Sequence, residues 1–161
     1  MKIIKVLLVA VAMMTTLSAR AMTDDESVAF MSAVTGGNVA VVKKFIESGT
    51  ANVNDTFFAW SPLLSAASKN QLGVVKVLVE HGANLNYQHP VTKMTPLAHA
   101  AYEGNNDIVK YLLEKGADPN IKMRGGVSLV RAARDEGHVE TVKLLEQFGA
   151  KDDGCKDEKC L

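Results

Sequence analysis

The segment from Ser61 to Asn86 reads SPLLSAASKNQLGVVKVLVEHGANLN and predicts two short helices joined by a tight turn. Ser61 is a favourable N-cap, and Pro62 suits the first helical position, where its missing N–H costs no hydrogen bond. Apolar residues then recur at helical spacing, and Gly82 can take the left-handed conformation that ends a helix. Each helix is apolar along one side only, so neither can bury its surface without a neighbour.

The same unit recurs along the chain at a nearly fixed interval. Helix-ending glycines stand 33, 34 and 33 residues apart, at Gly49, Gly82, Gly116 and Gly149. Residues equivalent to the Ser61 cap are Thr95 and Ser128. A period of this length is typical of a stacked solenoid, in which each unit covers the open side of its neighbour. We therefore predict four helix–turn–helix units over residues 23–150.

The repeated residues resemble the ankyrin repeat family. Thr95-Pro96-Leu97 and Ser61-Pro62-Leu63 match its Thr-Pro-Leu motif, Gly137-His138 its turn between helices, and GADPN at 116–120 its loop entry. The resemblance implies an all-α solenoid with hairpin-like finger loops and units at about 23–54, 55–87, 88–120 and 121–150. A tetratricopeptide array has a similar period, but its Trp, Leu-Gly and Tyr signature is absent from the sequence.

Residues 1–21 have the pattern of a secretory signal peptide. Lys2 and Lys5 precede an apolar run, and Ala19-Arg20-Ala21 has the form of a cleavage site. The alternative is a membrane anchor, but the run is shorter than the ~20 apolar residues that span a bilayer. We therefore expect an ankyrin protein of the exported bacterial type, periplasmic or secreted, with no membrane insertion after signal removal.

The charge of the chain argues against a nucleic-acid partner. Loss of residues 1–21 removes three of the 18 basic side chains and leaves 15 against 18 acidic ones, a net charge of −3. Nucleic-acid binding usually needs a basic stripe, because phosphate contacts supply most of the affinity. Here one lysine recurs in every second helix, with a glutamate four residues after the first three, at Lys43, Lys76, Lys110 and Lys143. This pattern predicts a solvated outer face.

The sequence contains no pattern that predicts catalysis. The four histidines do not have the spacing of a zinc site, and neither a phosphate-binding glycine loop nor a nucleophile elbow occurs. His99 stands in the first helix of the third unit, where no motif places a Ser, Cys or carboxylate beside it, so we predict that it packs between helices. We expect a protein that is not an enzyme and needs no metal or cofactor.

The resemblance to ankyrin repeats implies a concave face, built from the fingers and the first helices, that binds a protein partner. Residues at finger positions are Phe57, Phe58, Trp60, Val91, Met94 and Arg124, and the first helices add Lys69, Tyr102 and Glu103. Further positions on that face are Ser68, Thr92, Gly125, Val127, Asp135 and Glu136. The first two fingers lack the usual glycine, so the sequence leaves their shape open.

Phe57, Phe58 and Trp60 place three large aromatic side chains within four positions of one loop. Aromatic side chains in a solvated loop are unfavourable unless something covers them, and Phe and Trp are common interface anchors. One interpretation is therefore that the three residues bind the partner. The alternative is that Phe57 and Trp60 fold back onto the first unit, where their packing replaces the missing turn glycine.

Residues 151–161 form a charged tail that we predict to be mobile. Both cysteines of the chain, Cys155 and Cys160, lie in this tail. An exported protein meets an oxidising environment, so we expect the two thiols to form a disulfide.

Three classes of function are consistent with these observations. We favour a non-catalytic module that holds a protein partner; the resemblance includes exported inhibitors or immunity proteins, and others that protect against peroxide through a catalase. The second class is a carrier of a small molecule such as haem, using Tyr102, Met94 and the aromatic finger. The third is a structural spacer, which would leave the finger aromatics bare.

Overall fold

The computed structural model describes residues 22–153, which form eight α-helices and no β-strand. In chain order the helices are α1 (Asp24–Thr35), α2 (Val39–Glu47), α3 (Pro62–Ser68), α4 (Leu72–Glu80), α5 (Pro96–Tyr102), α6 (Asn106–Glu114), α7 (Leu129–Asp135) and α8 (Val139–Gln147). A short 3-10 helix, Arg124–Gly126, precedes α7. In this part of the chain, no helix has the length and apolar character that crossing a bilayer requires.

The helices form four consecutive pairs that stack in order. The first helices α1, α3, α5 and α7 each contact the next one in the series, and the second helices α2, α4, α6 and α8 do the same. The two helices of each pair also pack against each other, and together they bury a continuous core from Phe30 to Leu145. The predicted all-α solenoid of four helix–turn–helix units is therefore confirmed.

Hydroxyl side chains begin the first helices. The side chains of Ser61, Thr95 and Ser128 each accept a hydrogen bond of 3.1 Å from the backbone N–H three residues later. In α1 the N-cap Thr23 and the side chain of Glu26 exchange hydrogen bonds in a capping box. Each bond satisfies an N–H group that the first turn of a helix leaves without an intrahelical partner.

The second helices end at the glycines that define the period. Gly49, Gly82, Gly116 and Gly149 have φ angles between 72° and 90°. This left-handed backbone conformation is strained for residues with a Cβ atom, so glycine is the residue that suits it. The repeat of the glycines in sequence is thus a repeat of the same helix end in the structure.

Asparagine side chains connect the loops of successive units. The side-chain oxygens of Asn54, Asn86 and Asn120 each accept a hydrogen bond from a backbone N–H in the following loop, at 2.7, 2.9 and 2.8 Å. Because the bond recurs once per unit, it sets the register of each loop on the next. The finger positions of neighbouring units consequently lie side by side.

A polar pair connects the second helices of the third and fourth units. Asn106 stands where the other second helices have Val39, Leu72 and Val139. Its side-chain oxygen accepts a hydrogen bond of 2.7 Å from the hydroxyl of Thr141, which is fully buried in α8. A buried hydroxyl without a partner would be destabilising, so Asn106 completes the hydrogen bonding of Thr141.

The last described residues fold back onto α7. The Asp153 carboxylate accepts a hydrogen bond of 3.0 Å from the backbone N–H of Ser128, and Asp152 forms a salt bridge of 2.7 Å with Arg134. Residues 151–153 therefore contact the fourth unit. The mobility of the tail from residue 151 onward stays a prediction. The predicted signal peptide and the predicted Cys155–Cys160 disulfide lie outside the described residues.

Candidate functional site

The first finger, residues 57–60, is a two-residue hairpin. The backbone N–H groups of Phe57 and Trp60 donate to each other's carbonyl oxygens at 2.9 and 3.0 Å, which leaves Phe58 and Ala59 at the tip. Both tip residues have positive φ angles, 50° and 69°. Turns with two such residues normally use Asn-Gly, since left-handed backbone costs most side chains about 1–2 kcal/mol. The first finger therefore holds backbone strain at its tip.

The three aromatic side chains of the first finger have different surroundings. Phe57 is partly buried and packs on the first unit, with its ring centroid 6.1 Å from that of Phe30. Trp60 is also partly buried, whereas Phe58 is fully exposed at the tip. The packing alternative thus describes Phe57, the one ring of the three that contacts Phe30 of the first unit. Phe58 has the open surface that the binding interpretation requires.

Trp60 packs forward onto the third unit, which the sequence analysis did not anticipate. Its ring centroid lies 5.3 Å from those of His89 and of His99 in α5. Burial, together with the nearby His89, lowers the pKa of His99 below the ordinary histidine value. The Nδ1 atom of His89 accepts hydrogen bonds from the backbone N–H groups of Val91 and Thr92 at 3.4 and 3.3 Å. Both histidines therefore have packing partners in this cluster.

The fingers are bonded to one another as well as closed within themselves. The second and third fingers, residues 89–94 and 123–127, are each closed by a backbone hydrogen bond of 3.0 Å between the first N–H and the last carbonyl. The N–H of Arg124 donates to the carbonyl of Thr92 at 3.0 Å, and the Tyr87 hydroxyl donates to the tip of the first finger at 2.7 Å. These bonds hold the three fingers as one surface.

An apolar groove lies between α1 and the first finger, and we call it the N-terminal groove. Its volume is about 270 Å³, and its lining residues are Ser27, Val28, Met31, Phe57, Phe58, Trp60 and Ser65. Val28 is 70% exposed beside the fully exposed Phe58, so large apolar side chains are open to water on two sides of the groove. Contiguous exposed apolar surface of this kind is typical of interaction sites.

A second groove, the C-terminal groove, lies between the second and third fingers and the helices α5 and α7. Its volume is about 320 Å³, and it is lined by Thr92, Met94, Tyr102, Met123, Arg124, Val127, Ala132, Asp135 and Glu136. Three residues predicted to bind a partner, Met94, Tyr102 and Arg124, therefore lie in one groove. The thioethers and aliphatic side chains among these residues give it a largely apolar lining.

Carboxylates lie on the helix side of the C-terminal groove. Glu136 raises the pKa of the Tyr102 hydroxyl, first by accepting its hydrogen bond and then by its negative charge, and Glu103 adds to the effect. Asp135 lies 3.5 Å from the Arg131 guanidinium, in an ion pair one turn along α7. The hydroxyl of Tyr102 therefore lies near the negative charges of Glu136 and Glu103.

The remaining predicted residues lie outside the lining of these two grooves. Lys69 and Glu103 are the exposed C-cap residues of α3 and α5. Val91 is 61% exposed in the second finger. Val28 and Met31 also line the N-terminal groove, although no motif indicated them; their spacing of three residues, which places both on one side of α1, is the signal that could have done so.

The lysines that recur in the second helices belong to a different surface. Lys43 lies 3.6 Å from Glu47, and Lys143 lies 3.6 Å from Glu140, with all four side chains more than half exposed. Lys76 instead lies over the ring of Tyr111, with Nζ 5.8 Å from the centroid. Exposed ion pairs of this kind contribute little to stability, which fits a solvated outer face.

Comparison with known proteins identifies the repeat. A family model described as ankyrin repeats matches the chain in three copies, over residues 3–89, 30–123 and 87–159. The chain belongs to the ankyrin-repeat family. Ankyrin repeats bind protein partners and are typically not catalysts, so membership implies a protein-binding module.

The relatives of this ankyrin-repeat chain include much longer proteins. It is 30% identical over 132 residues to "Ankyrin repeat, SAM and basic leucine zipper domain-containing protein 1" of Dasypus novemcinctus, across 80% of this chain and 28% of that protein. The protein of the same description from Saimiri boliviensis boliviensis is 32% identical over 117 residues, across 70% of this chain and 24% of its own length. The chain thus spans about a quarter of the length of these relatives.

Proposed function

We propose that this ankyrin-repeat protein holds a protein partner on the concave face formed by its fingers and first helices, without catalysis. The observation that carries the proposal is Phe58, a fully exposed aromatic side chain on a turn where both tip residues have positive φ angles. Neither the exposure nor the strain is offset by a contact of Phe58 with the core. Strain of this kind concentrates at functional sites, and a contact with a partner would supply the missing stabilisation.

The surroundings of Phe58 support the same role. The N-terminal groove beside it offers apolar walls at Val28 and Met31, and the partly buried Phe57 and Trp60 hold the finger in place. An exposed aromatic on a supported loop loses little side-chain freedom when it binds, which is why aromatic residues are common interface anchors. A structural spacer would leave this side chain in water.

We further propose that the protein acts after export, in the periplasm or outside the cell, as an inhibitor, an immunity protein or an accessory of stress protection. The support is the signal-peptide pattern of residues 1–21. A cut after Ala21 would leave the fold intact, because the first helix is capped by Thr23 and Met22 packs against the core. Amino-terminal sequencing of the protein from the exported fraction is expected to begin at Met22. A protein that is found in the cytoplasm with residues 1–21 still attached would contradict export.

The haem-carrier alternative has weaker support. Met94 and Tyr102 do line the same groove. However, Glu136 raises the pKa of the Tyr102 hydroxyl, which disfavours the phenolate that would ligate an iron atom. Protein binding requires no such ligand.

Affinity capture with finger variants tests the proposal. The full chain, Phe58→Gly and Ala59→Gly are each immobilised and exposed to an extract of the source cells. Both variants relieve strain at the tip, but only Phe58→Gly removes the aromatic side chain. We expect the wild type and Ala59→Gly to capture the same protein and Phe58→Gly to bind it about 30-fold more weakly, as is usual for an aromatic anchor. Equal capture by all three would contradict the proposal.

A further inference from the structure

The C-terminal groove combines three features that suit a long cationic side chain. Its lining includes the thioethers of Met94 and Met123, the aromatic ring of Tyr102 and the acidic residues Asp135 and Glu136, and the Glu136 carboxylate accepts the hydrogen bond of the Tyr102 hydroxyl. Tyr102 is 41% exposed, so its ring is accessible from the groove. We infer that this groove receives a Lys or Arg side chain of the protein partner; the inference rests on the proposed function and specifies the chemistry of the ligand.

Each part of such a side chain matches a part of the groove. The aliphatic stem of Lys or Arg can pack along methionine side chains, which adapt to the shape of their neighbour. The cationic group can then lie against the Tyr102 ring and reach the Glu136 carboxylate, which gives a cation–π contact and a charge-assisted hydrogen bond. An aliphatic side chain would use only the apolar part of the lining, and a carboxylate would be repelled by the acidic residues on the helix side.

The distribution of charge favours a cation on the helix side. Among residues 22–153, neither Glu103 nor Glu136 takes part in a salt bridge, and both act on the Tyr102 hydroxyl. Asp135 is balanced in part by Arg131 at 3.5 Å. The finger side carries Arg124, which is available for a carbonyl or carboxylate elsewhere on the partner. In the part of the chain that the structure describes, the carboxylates that line or border this groove thus belong to α7 and to the ends of α5 and α7, which is the side that favours a cationic group.

The two grooves together define the spacing of the partner's contacts. The N-terminal groove involves α1 and α3, and the C-terminal groove involves α5 and α7. Packed helices lie about 8–10 Å apart, so two helix spacings place the grooves roughly 16–20 Å from each other. An extended chain rises ~3.3 Å per residue, which corresponds to roughly five or six residues. One extended segment can therefore place an apolar residue at Phe58 and a basic residue in the C-terminal groove.

Selection from a random peptide library tests this inference. Peptides of about twelve residues are long enough to cross both grooves at ~3.3 Å per residue. We expect the immobilised full chain to enrich sequences with Lys or Arg about five or six positions from an aromatic or aliphatic residue. A doubly substituted chain, Asp135→Asn with Glu136→Gln, keeps the hydrogen-bonding atoms but loses the charge. This variant is expected to enrich peptides with the aromatic or aliphatic residue but no longer to favour peptides with Lys or Arg.

The matched controls separate charge in the groove from charge elsewhere. Glu140→Gln removes a carboxylate from the outer face of α8 and should leave the selected sequences unchanged. In a selected peptide, replacing Lys by norleucine keeps the stem and removes the charge, and we expect binding to the wild-type chain to weaken about tenfold. The doubly substituted chain should bind the two peptides about equally. Unaltered thermal unfolding of each variant shows that the fold is retained.

The outcomes distinguish this inference from the proposed function. Enriched peptides that bind through Phe58 without a basic residue would overturn the inference and leave the proposed function standing. An enrichment of Asp or Glu that depends on Arg124 would do the same. A library from which no peptide is enriched would count against both.

Discussion

At the scale of single residues, Phe58 and Trp60 show how neighbours in sequence can have opposite roles. Trp60 is held between His89 and His99, and its backbone closes the first finger onto Phe57. Phe58 lies at the tip with a positive φ and a fully exposed ring. An exposed aromatic ring adds no stability by packing, and left-handed backbone is unfavourable for a residue with a Cβ atom. We therefore propose that Phe58 is present because it binds a partner.

The strain at the finger tip predicts that a change which removes binding will stabilise the fold. Phe58→Gly relieves about 1–2 kcal/mol of left-handed strain and loses part of it to the greater freedom of glycine in the unfolded chain. We expect a net gain of about 0.5–1 kcal/mol in the free energy of unfolding, measured by urea titration. Ala59→Gly should give a similar gain. A loss of stability in Phe58→Gly would mean that the ring packs in solution.

The lowered pKa of His99 predicts that acid weakens the fold. In the unfolded chain His99 takes up a proton at its ordinary pKa near 6.5, while the folded chain resists protonation until a lower pH. The unfolded state therefore binds more protons in that interval, so stability is complete above the unfolded pKa and falls as the pH decreases. Thermal unfolding between about pH 7.5 and 5 should show this fall, with a smaller slope for His99→Gln. Fluorescence of Trp60, the single tryptophan, reports the same titration. His138→Gln, which replaces a histidine outside the Trp60 cluster, is the control for the loss of a histidine. An equal slope of stability against pH in wild type and His99→Gln would contradict the prediction.

At the scale of helices, the contact between α6 and α8 depends on one polar pair in an otherwise apolar stack. Asn106 and Thr141 are 35 residues apart in sequence and 2.7 Å apart between their side-chain oxygens. Thr141 is fully buried, whereas Asn106 is partly exposed at the start of α6. The hydrogen bond therefore fixes which turn of α8 meets the start of α6.

Removing both members of the pair should cost less than the sum of the two single losses. Asn106→Leu leaves the buried Thr141 hydroxyl unsatisfied, and we expect a loss of about 1–3 kcal/mol in the free energy of unfolding. Thr141→Val alone should also destabilise, because the Asn106 amide then loses its partner. The double variant should lie closer to wild type than the two losses would suggest if they were additive. Urea titration of all four proteins completes the double-mutant cycle, and additive losses would show that the bond contributes nothing.

At the scale of the whole molecule, stability is distributed along the stack because each unit contacts its neighbours. The C-terminal unit has no following finger among the described residues, and Lys151–Asp153 docks where that finger would begin. Asp153 accepts from the N–H of Ser128, and Asp152 pairs with Arg134. The first contact is at the N-cap of α7 and the second is in its last turn, so the segment contacts both ends of a helix that lines the C-terminal groove.

Loss of the contacts of residues 151–153 is expected to destabilise the C-terminal end of the solenoid and not the whole fold. Asp153→Ala removes the acceptor of the Ser128 N–H, at a cost of about 1.5–3 kcal/mol for a hydrogen bond to a charged group. Hydrogen exchange is expected to speed up in α7 and α8 and to change little in α1 and α2, because a solenoid can open from one end. Asp118→Ala, in an interior loop, serves as a comparison. Uniformly faster exchange in all eight helices would show that the molecule unfolds as a single unit.

The repeat period, the caps and the glycine helix ends were predictable because each depends on residues within a few positions. A hydroxyl that accepts from an N–H three residues later, or a glycine at a left-handed position, needs only its local segment. Periodic apolar residues then require the units to stack, which determines the solenoid. The sequence also grouped Met94, Tyr102 and Arg124 on one predicted face, and these three residues line one groove.

Other features were decided by the tertiary structure alone. Which aromatic of the first finger remains exposed, which residue satisfies Thr141, and which side chains share a groove all depend on contacts between units some thirty residues apart. A repeat makes such positions equivalent in sequence, but their side chains differ from unit to unit. Packing between those differing side chains is what leaves Phe58 in water and places the carboxylates beside Tyr102.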